Sequence, residues 1–144
     1  MQAFPHHYKV EAKAGFTGNV VLSGAALPSL DSAPPAAFDG PGNLWSPEDL
    51  LVASVADCYI LSFRAISQMS KLSWTSLECR VEGILDRVER VTQFTAFKIS
   101  ARLEIGDEKD RERAERLLQK AEENCLIANS LKAAPSLETE VAVR

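Results

Sequence analysis

WSPEDLLVASVADCYILSFRAISQM, residues 45–69, reads as one long helix with a cysteine at its middle. Ser46 is a favoured N-cap, Pro47 suits the first helical position, and Asp49 completes an S-x-x-D capping box. Trp45 and Leu50 stand where a hydrophobic staple forms. Across residues 50–66 only Asp57 and Arg64 are charged, so most of the helix surface, not one stripe of it, calls for a cover. Those two charges also break the run of roughly 20 apolar residues that a membrane span needs. The stretch is expected to be a long buried central helix, and Ser54, Cys58, Leu61, Ser62 and Ala65 share one small, mildly polar face of it.

Upstream, residues 7–14 alternate loosely, with Tyr8, Val10 and Ala12 on one side. Gly15 to Gly18 supplies a turn, residues 19–23 return, and residues 27–30 form a short third strand. Residues 31–44 hold Pro34, Pro35, Gly40, Pro41 and Gly42 and read as a loop of the kind that lies across a site or a partner. Downstream, residues 75–87 place Leu77, Cys79, Val81 and Gly83 on one face. Residues 95–105 place Thr95, Phe97, Ile99, Ala101, Leu103 and Ile105 on the matching face, so the two make an antiparallel hairpin. Residues 107–124 form a second helix with Ala114, Leu117, Leu118 and Ala121 as its apolar stripe, which continues through Cys125 and Ala128, while its charges form a solvated face. Pro135 breaks the pattern and residues 137–143 alternate as a last strand. The order predicts an α+β fold of antiparallel sheets packed around the central helix, built from hairpins in place of βαβ units.

With 144 residues, 46% of them hydrophobic, the chain suits a single domain over residues 1–144. A net charge of −4 without a basic, aromatic-rich cluster argues against nucleic acid as a partner. Residues 1–10 carry Pro5, His6, His7 and Lys9 where an export signal needs an apolar core, so a cytoplasmic protein with no membrane partner is expected. Three widely spaced cysteines, Cys58, Cys79 and Cys125, are an odd number and read as thiols, not as a disulfide framework. Neither C-x-x-C nor H-x-x-x-H occurs, and no metal or cofactor is expected. Cys79, on an apolar strand face, reads as a small core residue.

SPEDLLVASVADC (46–58) resembles the helix segment of the OsmC/Ohr family of organic hydroperoxide reductases, where a Pro-Glu pair opens the helix and the reactive cysteine follows ten residues after the glutamate. NCLIANSL (124–131) is similar to the family's second segment, usually Cys-Pro followed by a small residue and Asn-Ala. The resemblance covers essentially the whole chain. It implies an intertwined homodimer with sites at the subunit interface, Cys58 as peroxidatic thiolate, Cys125 as resolving cysteine and Glu48 as an orienting carboxylate. It also implies organic hydroperoxide as substrate and a dithiol as reductant. In the family an arginine in a Gly-Gly-Arg-like turn pairs with the glutamate and stabilises the thiolate; here that turn reads Ala14-Gly15-Phe16-Thr17-Gly18, without arginine. A thiol of pKa about 8.5 is mostly protonated at neutral pH, and a neighbouring cation is a main means of lowering it. Arg64 is no substitute, since six helical residues put it about 120° around from Cys58. Two functions therefore stand side by side: a two-cysteine peroxidase, or a non-peroxidatic dimer whose interface pocket binds a small hydrophobic molecule.

Overall fold

The computed structural model describes residues 1–144, which divide into two compact units, Met1–Leu51 and Val52–Arg144. In the first, β1 (Glu11–Lys13), β2 (Val20–Ser23) and β3 (Leu30–Ser32) form an antiparallel sheet in that order. The first strand is shorter than its alternation predicts because β2 offers partners only from Val21 to Ser23. Tyr8 and Val10, expected on a half-buried face, are 87% and 77% exposed. The third strand starts later than expected. A turn closed by Leu27 N–H to Gly24 O at 3.1 Å takes up the preceding residues, and Pro28 has no N–H to give to a ladder.

The Pro/Gly stretch is tied down by its own backbone. A single 3-10 turn, Ala36–Phe38, is flanked by Phe38 and Gly40 N–H groups that both donate to Pro35 O, at 2.9 and 3.0 Å. Only glycine fits at position 40, where a Cβ would overlap the Pro34 carbonyl. Beyond it Ala33 N–H donates to Trp45 O at 3.0 Å, which sets the chain up for helix α1 (Pro47–Met69). Its capping box forms in both directions: Asp49 N–H donates to Ser46 Oγ at 3.0 Å, and Ser46 N–H to Asp49 Oδ2 at 3.3 Å.

In the second unit, β4 (Ser76–Val88) and β5 (Val91–Ile105) make the expected hairpin around a Glu89-Arg90 turn with both φ values positive. A bulge at Ile84/Leu85 leaves Thr95 without a partner, so Thr95 is exposed and Phe94 takes the inward role, stacked on Phe97 at 5.2 Å. Helix α2 (Arg111–Glu123) then carries the chain back, and β6 (Ser136–Val143) joins β5 in parallel. The α+β class holds, but this sheet is mixed, not antiparallel. The helical crossover returns the chain to the end at which β5 began, which is the geometry of a βαβ unit.

The core of this unit lies between the inner face of β5 (Phe97, Ile99, Leu103, Ile105), the α2 stripe (Ala114, Leu117, Leu118, Ala121) and one stripe of α1. On α1 that stripe is Val55, Tyr59, Phe63 and Ser67, a strict i+4 series. Tyr59 O–H donates to Leu118 O at 2.9 Å, and Trp74 packs edge-on to Phe63 while its Nε1–H donates to Ser67 Oγ at 2.8 Å. Close approach of α1 to the sheet requires Gly83, where a Cβ would stand 2.7 Å from Val52 Cγ2. The expectation that α1 is buried on nearly every side is not met within one chain: Leu61 and Met69 are 51% and 85% exposed. By length and composition alone α1 passes for a membrane span, at 23 residues and mean hydropathy 1.5. Its polar interruptions and its packed Tyr59 stripe are those of a helix laid on a sheet.

Candidate functional site

Cys58 occupies the middle of α1, half-buried, where apolar residues on both sides keep the helix regular. Cys125 lies just past the end of α2, where Asn124 leaves helical geometry and both its N–H and its side-chain amide donate to Lys120 O. The chain then tightens into a 3-10 turn, Ala128–Ser130, with Asn129 N–H donating to Cys125 O at 2.9 Å. That turn aims the Ala128 and Ile127 N–H groups at the Cys125 sulfur. It also seals the residue from solvent, leaving Cys125 with 0% exposure. The two sequence-expected cysteines are brought close together, near enough for Cys58 to raise the Cys125 thiol.

Their environments differ. Burial pushes the Cys125 thiol up to about 11; the Ala128 N–H opposes this, and the neighbouring Cys58 raises it further. Cys125 is therefore a protonated S–H donor at neutral pH beside a sulfur that solvent can reach. Cys79, on the inner face of β4 opposite Ala101, is likewise pushed up to about 11, first by burial and then by Cys125. Tyr59 is raised by burial, with Cys79, Glu122 and Cys125 adding to the effect. Cys79, Cys125 and Tyr59 thus stand within electrostatic reach of one another, all favouring their neutral forms.

Glu48, the third expected site residue, is the second residue of α1, ten positions before Cys58. Its Oε1 is buried and has no hydrogen-bond partner. An orphaned carboxylate oxygen is costly and calls for a donor.

Beside Cys58, Ser62 Oγ lies 3.9 Å from Sγ. Ser62 opens onto a groove of about 510 Å3 lined by Ala65, Ile66, Met69, Ser70, Lys120 and Asn124. The α1 side of this groove follows from helical spacing, but Lys120 and Asn124 were not visible as site residues. They belong to what reads as a solvated charged face, and only the packing of α2 beside α1 turns them toward the groove. No group of three or more His, Cys, Asp or Glu side chains is placed to hold a metal ion.

A half-open thiol beside a sealed protonated thiol is an arrangement that suits a sulfenate and a resolving partner. The sequence model of the OsmC-like protein family matches residues 40–140. The chain is similar to the uncharacterized protein YmaD of Bacillus subtilis, at 30% identity over 149 residues, covering 96% of this chain and 95% of that one. Its fold is similar to that of an OsmC-like protein of unknown function from Vibrio cholerae, with TM-score 0.86 and 16% identity over 94% of this chain and all of the other. It is also similar to an organic hydroperoxide resistance protein OsmC from Legionella pneumophila, with TM-score 0.72 and 25% identity over 98% and 100% of the two chains. The matched span takes in α1 with Cys58 and the α2 turn with Cys125, and on that ground the chain belongs to the OsmC-like protein family.

Proposed function

We propose that the protein is a thiol-dependent peroxidase that reduces organic hydroperoxides. The observation that carries this reading is the closeness of a half-buried Cys58 to a fully buried, protonated Cys125. The Cys58 thiolate attacks the distal peroxide oxygen. The O–O bond breaks, the leaving alkoxide takes up a proton to become an alcohol, and Cys58 is left as a sulfenic acid. Cys125 then attacks that sulfur, water leaves, and a Cys58–Cys125 disulfide forms. An external dithiol reduces it by exchange, returning both thiols. The resistance protein of Legionella pneumophila supports the choice of organic hydroperoxide by its name.

We further assign the active form to a homodimer, supported by the uncovered apolar face of α1. Glu48 acts across the dimer on the partner's Cys58, since ten residues on one straight helix put the two groups about 15 Å apart along the axis. Mixed dimers with Glu48→Gln on one chain and Cys58→Ser on the other retain one wild-type site and substantial activity if this is so. The groove beside Ser62 favours a second reading, a binding protein for a small hydrophobic molecule. Consumption of an organic hydroperoxide with a dithiol, compared with hydrogen peroxide, separates the two: turnover supports the peroxidase, and tight binding without turnover supports the carrier.

A further inference from the structure

Serine hydroxyls in helices ordinarily return to a carbonyl three or four residues back. Ser67 Oγ donates in this way to Arg64 O at 3.0 Å and Ser130 Oγ to Leu126 O at 2.8 Å. Ser62 Oγ instead stands 3.9 Å from the Cys58 sulfur, one helical turn behind it, where either group can donate. The charged and titratable groups near that sulfur are few. Asp57 and Arg64 on α1 are both exposed, Cys125 approaches from the end of α2, Cys79 on β4 lies behind Cys125, and Lys120 lines the groove. The turn at residues 14–18, where the family resemblance places a cation, has none.

We propose that Ser62 donates a hydrogen bond to the Cys58 thiolate and, together with the Cys125 S–H, does the work of the missing arginine. The inference rests on the reading of Cys58 as the attacking thiolate. Hydrogen bonds to the charged form of a group favour that form, and neutral donors do this without bringing a second charge into a half-buried site. A 3.9 Å contact is loose for a thiol. Around an anion it tightens, as catalytic hydrogen bonds commonly do once the reacting species is present. The hydroxyl keeps its own proton throughout. The proton that leaves Cys58 on ionisation goes to solvent through the open face, and the one that completes the alcohol product returns the same way.

The test is the rate of iodoacetamide alkylation of Cys58, followed by peptide mass, in wild type, Ser62→Ala, Ser62→Thr and Lys120→Met. At neutral pH Ser62→Ala reacts about tenfold more slowly than wild type, the worth of one hydrogen bond to a charged group. At about pH 10, where the thiolate forms without help, its rate rejoins wild type. Ser62→Thr, which keeps the hydroxyl, stays close to wild type at both, and Lys120→Met loses less than Ser62→Ala. Equal rates for Ser62→Ala and wild type at neutral pH overturn the proposal. So does a deficit that persists at high pH, which marks a structural effect, or a larger loss in Lys120→Met, which hands the role to a cation. Alkylation reads the thiolate alone, so a protein that alkylates as described yet consumes no hydroperoxide refutes the peroxidase and leaves the Ser62 contact standing.

Discussion

Helix α1 runs for 23 residues and buries Val55, Tyr59, Phe63 and Ser67; helix α2 runs for 13 and buries Ala114, Leu117, Leu118 and Ala121. The shorter helix is charged or polar everywhere except on the stripe it buries, so its sequence pattern is satisfied inside one chain. The longer one keeps apolar side chains on faces that the chain leaves open, Leu61 and Met69 among them. Cys58 lies on α1 and Cys125 just past the end of α2, and each cysteine shares the condition of its helix: Cys125 sealed, Cys58 half-open. Apolar surface beyond what a chain can bury is information about a cover, and Leu61, part of that surplus, lies one turn from the Cys58 thiol.

Cys58→Ser breaks this contrast most severely. Turnover of organic hydroperoxide falls to background, because a serine hydroxyl neither ionises nor takes up an oxygen atom. Cys125→Ser leaves the first attack intact but exposes Cys58 to over-oxidation, read as a gain of two oxygens on its peptide.

The two helices should also differ under truncation. Leu118→Ala, at a position with no exposure, destabilises the protein by about 2–5 kcal/mol in urea titration. Leu61→Asp, on the open face of α1, sediments as a monomer at a micromolar concentration where the proposed wild-type dimer persists. A stable folded wild-type monomer under those conditions removes the need for a cover.

Alkaline pH sharpens the comparison further. Cys79 and Cys125 hold their protons in the native state up to about 11, whereas unfolded-chain thiols ionise near 8.5. In that window the native state binds more protons than the unfolded state, so stability is full below it, falls as pH rises through it and levels off above it. Cys79→Ala flattens part of that fall in urea midpoints measured across the range. The smallest effect is expected from Cys79→Ser on turnover at neutral pH, which changes little.

Much of this was legible from residues alone. The capping box at Ser46 fixed the start of α1, and the spacing of Ala114, Leu117, Leu118 and Ala121 predicted the buried stripe of α2, because both signals are local. What failed was non-local. The bulge that expels Thr95 depends on the register of β4 against β5, and the parallel entry of β6 depends on which edge of the sheet remains open after the hairpin forms. Neither leaves a mark on the alternation of a single strand. The site divides in the same way. Cys58 and Cys125 were found through their flanking motifs, while Lys120 and Asn124 became groove residues only once α2 was laid beside α1. Ser62 was placed on the face of Cys58 by spacing, but its 3.9 Å approach to the sulfur required coordinates.

The central claim, that Cys58 and Cys125 form one redox pair, is tested most directly by intact-protein mass spectrometry after one equivalent of organic hydroperoxide. The account predicts loss of two hydrogens in wild type and in Cys79→Ser, with peptide mapping joining Cys58 to Cys125. A Cys58–Cys79 link, or an unchanged mass under excess hydroperoxide, would contradict it.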